Sequence, residues 1–307
     1  LTNDGKQLTG DSLFYDRNKG YGEAFYHVEF TDTVNKNMLR GNYCKYNELT
    51  EYAFATDKAV AVDFSQGDSL FLHADTLQLY TYHLATDSMY REMRAFHKVR
   101  IYRTDVQGVC DSLVFSSKDT CLTMYQDPIL WNNQQQLLGE KIMVYMNDST
   151  IDWAHIQNQA LSVEKLDSVN FNQVAGKDMK AYFKDGEMHQ VDVLGSVRVV
   201  YYWMEKDSTL MGMNVSETSE LSIFLENRKM KKMLMKPKTN GVFYPMDQLP
   251  ADKMKLDNFA WFDYVRPLDK KDIFVWRGKK EGQGLKKSVR GAAPLPNKKL
   301  FKKEGKE

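Results

Sequence analysis

The chain has 307 residues, enough for one large repeat domain or two ordinary ones. With 42% hydrophobic and 27% charged residues and a mean hydropathy of −0.55, it is polar on average, and no run approaches the ~18 apolar residues that a membrane-spanning helix needs. The net charge of +1 hides an asymmetry: residues 277–307 carry 11 Lys and Arg against 3 Glu, a local +8 that leaves −7 on the remainder.

The 17 Tyr, 16 Phe and 5 Trp favour strands over helices, and a polar mean rich in aromatics suits sheets with one buried and one wet face. The first residue is Leu1, which reads as a processed or cut chain with no leader to declare a compartment. Three cysteines, Cys44, Cys110 and Cys121, form neither a CxxC nor a zinc spacing, and at most one pair can bridge. They read as small residues packed on strands.

From Leu8 onward a short phrase recurs: an apolar residue, a spacer, a Gly or Ala, then an alternating strand. Its small residues are Gly10, Gly41, Ala74, Gly108, Gly139, Gly176 and Gly212, at spacings of 31, 33, 34, 31, 37 and 36 residues. A loose period of this length predicts stacked supersecondary units. Between the copies lies a second strand phrase, at 24–30, 58–64, 96–101 and 195–200, alternating apolar and polar at period two. Turn residues separate the phrases at 16–20, 65–67, 118–119, 132–133, 184–186 and 240–241. About four short strands fit each period.

In chain order, the residues expected to face an apolar interior are Leu13 and Tyr15, Val28 and Phe30, Val60 and Val62, and Leu77 and Leu79. Val99 and Ile101, Leu113 and Phe115, and Val197 and Val199 continue the series. The period also matches tetratricopeptide and ankyrin arrays, but alternating strands and dense turns exclude helical repeats. Residues 228–236 (RKMKKMLMK) allow an amphipathic helix or a basic strand; the alternating Leu221–Leu225 before them favours the strand. The pattern breaks at residues 244–250, and Phe259, Trp261, Phe262 and Tyr264 form an aromatic cluster suited to a cap or a docking surface. The division is therefore a repeat domain at 1–243, an aromatic segment at 244–276 and a basic, flexible tail at 277–307.

Three copies read Gly10-Asp-Ser-Leu-Phe-Tyr15, Ala74-Asp-Thr-Leu-Gln-Leu79 and Cys110-Asp-Ser-Leu-Val-Phe115. This Asp-Ser/Thr-Leu phrase, followed by a Val-rich strand, resembles the LptA/OstA family over roughly residues 1–245. The resemblance implies an all-β fold: an open, twisted β-jellyroll, solenoid-like, of two packed antiparallel sheets. It implies a periplasmic carrier or bridge that holds the acyl chains of lipopolysaccharide between its sheets on the way to the outer membrane. It also implies end-to-end strand pairing with related jellyroll proteins or with itself. The fourteen interior residues named above would then line the lipid groove. At ~0.8 kcal/mol per buried methylene, an acyl chain of about a dozen gains ~10 kcal/mol before entropic losses. The chain is longer than the shortest carriers and adds the aromatic segment and basic tail.

No GxxxxGK[ST], HExxH or GxSxG motif occurs, so no catalytic site, metal or cofactor is expected. The six histidines are scattered, and His27 and His97 read as solvent-facing. Asp11, Asp75 and Asp111 recur at one place in the repeat. A polysaccharide-active β-helix would pair such carboxylates, but repetition points to a structural bond in every unit, since an enzyme needs its site once. The basic tail reads as a solvated linker, with contact to acidic phosphate or lipid as the second reading and no nucleic acid expected. The alternative to a carrier is a structural or adhesive β-repeat protein that binds proteins or glycans on its surface. A splayed apolar groove favours the first; a fully packed core favours the second.

Overall fold

The computed structural model describes residues 2–3, 5–65, 67–147, 150–205, 207, 209–226 and 229–280. The chain opens with short strands β1 (Thr2–Asn3), β2 (Lys6–Thr9) and β3 (Ser12–Asp16), then long β4 (Tyr21–Asp32) and β5 (Asn37–Asn47). Four short strands follow, β6 (Tyr52–Thr56), β7 (Val60–Asp63), β8 (Leu70–His73) and β9 (Thr76–Tyr82), then long β10 (Tyr90–Tyr102) and β11 (Val106–Ser116). The next short set is β12 (Cys121–Tyr125), β13 (Ile129–Asn132), β14 (Gln135–Leu138) and β15 (Lys141–Met146). The longest strands are β16 (Ile151–Lys165), β17 (Phe171–Lys184), β18 (Glu187–Met204) and β19 (Leu210–Glu226), before β20 (Lys229–Lys236) and β21 (Asn240–Pro245). Residues 229–236 thus form the strand, not a helix, and all pairings are antiparallel.

Pairing explains the alternation of long and short. β5 bonds β6 through residues 43–47 and β7 through residues 37–40. In the same way β10 bonds β9 and β8, β11 bonds β12 and β13, β16 bonds β15 and β14, and β19 bonds β20 and β21. Each long strand therefore bends in its middle and serves two sheets. The first arm holds β3, β6, β9, β12, β15 and β20; the second holds β2, β7, β8, β13, β14 and β21. The arms face each other across one core, where Leu77, Leu113, Ile142 and Met179 of the first meet Leu72, Ile101, Leu137 and Val199 of the second. This is an open β-jellyroll of two packed antiparallel sheets.

The corner has two alternating solutions. One uses a pair of left-handed residues, as at Tyr26–His27, Asp57–Lys58, His97–Lys98, Gln126–Asp127 and Asn158–Gln159. Register shifts mark it in the long strands, between Phe25 and Val28, Phe96 and Val99, and Gln157 and Ala160. The neighbouring strand turns at the small residue of the repeat. A Cβ on Gly139 would stand 2.5 Å from Ile156 Cγ2, and one on Gly176 2.4 Å from Val193 Cγ1, so the partner strand leaves no room for a side chain. Two of the expected small residues are out of register. Gly108 lies before the bend, which falls at Cys110–Asp111, and Gly212 lies at the start of β19, whose bend falls near Thr218. A buried Cys fills the corner that a match on glycine alone misplaces.

After β21, residues 246–280 run back across the outer face of the second arm as a strap with three short 3-10 turns. Phe262 and Val265, with Phe259 and Trp261, pack on Trp131, Leu138, Leu161 and Phe171, while Ile273 packs on Val60 and Val62. Three buried glutamines hold the strap. Gln173 bonds Met254 O and Leu256 N, Gln136 bonds Ala260 O and Phe262 N, and Gln107 accepts from Arg266. The segment expected as a cap or docking surface thus begins within β21 and lies on a sheet face, not over the last edge strand. Of the basic tail, residues 281–307 lie outside the described residues.

Candidate functional site

Strand registers align the inner side chains into lines that cross the whole molecule. On the first arm, the line nearest the corner runs Leu13, Ala24, Cys44, Ala55, Leu77, Ala95 and Leu113. It continues through Met124, Ile142, Ile156, Met179, Val193, Leu221 and Met235. The next line outward includes Tyr15, Leu79, Met93, Phe115, Leu122 and Val144, and ends at Ile223 and Met233. The second arm answers with Leu8, Phe30, Leu39, Ala61, Leu72 and Ile101. Neither line of the first arm contains a charged side chain.

The base of this groove is filled by its own side chains, with Leu113, Met124, Ile142 and Val193 wholly buried. Its lips are not: Met93, Leu122, Leu130, Phe183, Tyr201 and Met233 pack on the core yet stay half-buried. Two cavities, of about 420 and 300 Å³, lie outside the groove. The first is lined by Lys58, His73, Asp75 and Phe274, the second by Asp68, Arg103, Thr104 and Asp105.

All but two of the expected interior residues share this inner face. Val28, Leu77, Val99, Ile101, Leu113, Val197 and Val199 are buried in it, and Phe30, Leu79 and Phe115 are partly exposed. Leu13 and Tyr15, at the first edge of the first arm, are exposed. Val60 and Val62 are the exceptions. They point to the opposite face of the second arm, under Ile273 of the strap, and Ala59 and Ala61 face the core instead. Both faces of β7 are covered, so alternation cannot tell inside from outside there, and the larger side chains were the wrong guide. The half-buried lip residues escaped the sequence reading; of the six, only Met233 lies in a stretch, residues 229–236, that the sequence reads as a strand.

The recurring aspartates stand on the outside of the corner. The amides of Asp11, Asp75 and Asp111 donate to Tyr26 O, His97 O and Gln126 O. Asp11 pairs with His27 at 2.8 Å, Asp75 with Lys98 at 3.5 Å and Asp111 with His97 at 3.3 Å. The bond from Ser112 holds the Asp111 carboxyl below the usual carboxylate range. One carboxylate per corner, each spent on a neighbour, is a structural ladder rather than a paired acid and base. All three cysteines are free thiols, and burial pushes Cys44 up to about 12. Among the described residues no cluster of three or more His, Cys, Asp or Glu is placed to hold a metal.

No family model matches the chain, and no curated protein matches it. Among solved structures it is similar to LptH of Pseudomonas aeruginosa, described as the LptA-homologous periplasmic component of the lipopolysaccharide transport device. The identity is 13%, over 39% of this chain and 82% of that one, with a TM-score of 0.32. A likeness of that degree bears on neither cargo nor partners.

Proposed function

We propose that this protein is a periplasmic carrier or bridge that holds the acyl chains of lipopolysaccharide in the groove between its arms, on the way to the outer membrane. The observation that supports this reading is the unbroken apolar line across the first arm, flanked by half-buried lips along its length. Lips of Leu, Met and Phe can part to admit methylene chains at ~0.8 kcal/mol gained per methylene buried. Related jellyroll proteins would join at the edges formed by β1 and β3 at one end and β20 and β21 at the other.

Photo-crosslinking residues at Met93, Leu122 and Ile223 test this. Lipopolysaccharide captured there in cells, and not at Gln78 or Ser222 on the outer face of the same arm, is the expected result. Capture from the outer positions alone would overturn it.

One observation favours the surface-binding alternative. The outer face of the first arm carries cross-strand aromatic pairs, Tyr145–Trp153 stacked at 4.1 Å and Tyr82–Tyr90 at 4.8 Å, with Lys180 over Trp153 and Arg94 over the neighbouring Tyr80. Crosslinks to protein or glycan at these rings, with a silent groove, would make it the better reading.

A further inference from the structure

The far end of the strap exposes a compact apolar group. Leu268 is 71% exposed, Val275 49%, Phe274 46% and Trp276 42%. These side chains lie within nine residues of one another and are held in place from beneath. Ile273, 1% exposed, anchors the turn between Val60 and Val62. Leu268 N donates to Asp272 at 2.8 Å, and Arg277 pairs with the same carboxylate. The Phe274 ring lies 4.9 Å from His73, and the Arg100 guanidinium sits 5.4 Å from the Trp276 centroid. The loop is therefore built to present these residues rather than frayed into presenting them.

Its charge is one-sided. From residue 264 to 280 there are six Lys and Arg against two Asp. Asp272 is engaged by Arg277, while Lys270 and Lys271 stand exposed beside Leu268. Exposed Trp, Phe and Leu ringed by lysines is the composition of a segment that lies in a membrane interface. There the apolar side chains enter the acyl boundary and the cations meet anionic headgroups.

We infer that residues 268–280 form a docking surface for an anionic membrane. Leu268, Phe274, Val275 and Trp276 insert at the headgroup level, and Lys270, Lys271 and Lys280 contact lipid phosphates. This surface is on the strap, across the second arm from the groove, so it stands or falls independently of what the groove carries.

The test is flotation of the full-length protein with phosphatidylcholine vesicles, with and without about 30 mol% phosphatidylglycerol. The expected result is binding to the anionic vesicles that weakens as salt rises. Leu268→Ser and Trp276→Ser should each lower that binding by about tenfold. Lys270→Glu with Lys271→Glu should lower binding to anionic vesicles only. Leu268 is the most exposed of the four, so its variant keeps the fold, as an unchanged melting temperature would verify. Absence of vesicle binding overturns the inference. So does equal binding by all variants, which would place the contact in residues 281–307 or elsewhere.

Discussion

His73 and Arg100 sit side by side on β8 and β10 beneath the strap, and both are buried ionisable groups. Arg100 donates to Ile273 O; burial pulls its guanidinium down to about 10, which leaves it charged at neutral pH. His73 Nδ1 lies 2.6 Å from Ala59 O, placed to donate to that carbonyl, a bond that favours the protonated ring but is outweighed by burial. Burial holds its imidazole below the ordinary value, with the charge of Arg100 acting in the same direction. The folded-state value is lowered, so the unfolded chain binds the extra proton first. The contribution to stability is complete above about 6.5 and is lost as pH falls through the folded value. Melting temperature should therefore drop between about pH 7.5 and 5. His73→Asn, which keeps a donor but does not titrate, should reduce that slope; His155, also lowered by burial, carries part of the remainder. An unchanged slope in the variant would show that His73 is not the source.

Between its short 3-10 turns the strap has no regular structure, so its backbone there needs partners from elsewhere. Gln136 is wholly buried; its Nε2 donates to Ala260 O at 2.9 Å and its Oε1 accepts from Phe262 N at 2.7 Å. The amide side chain thus replaces the neighbouring strand that this stretch lacks. Gln136→Leu keeps the volume and removes both bonds, leaving a buried donor and acceptor unpaired. It should cost about 1–3 kcal/mol in urea unfolding. Hydrogen exchange at the Phe262 amide should quicken more than at the Ile142 amide, inside the two-armed core. Equal protection before and after would mean that packing alone holds the strap.

For the whole molecule, the strap decides which apolar surfaces meet water. It covers Trp131, Leu138, Leu161, Val163 and Phe171, all on the outside of the second arm. A chain ending at Pro245 would bare this patch while retaining every strand. Such a truncation should associate in a concentration-dependent way in sedimentation velocity, through the uncovered face rather than the strand edges. Crosslinks at Leu161 would report the face, and crosslinks at β20 or β21 the edges. A truncated chain that stays monomeric at every concentration would leave the strap no covering role.

The sequence by itself determined the class of this fold. Alternation at period two, turn residues between the phrases and a small residue every thirty-odd positions encode strands, and these are local properties of the backbone and its side chains. Asp11, Asp75 and Asp111 were legible as structural for the same reason: a bond repeated at three corners recurs in the amino-acid sequence. Three matters were decided only by tertiary structure. Which face of β7 is inside depended on Ile273, more than two hundred residues away, so Val60 and Val62 and their alanine neighbours were assigned the wrong way round. The corner at Cys110 depended on how closely a neighbouring strand approaches, which a search for glycine does not measure. The course of the strap, from the last strand back over the second arm, rests on Gln107, Gln136 and Gln173. As isolated letters these read as solvent-facing polar residues, and their role appears only when an unpaired backbone is laid against them, because a buried amide is stable only where its partners are.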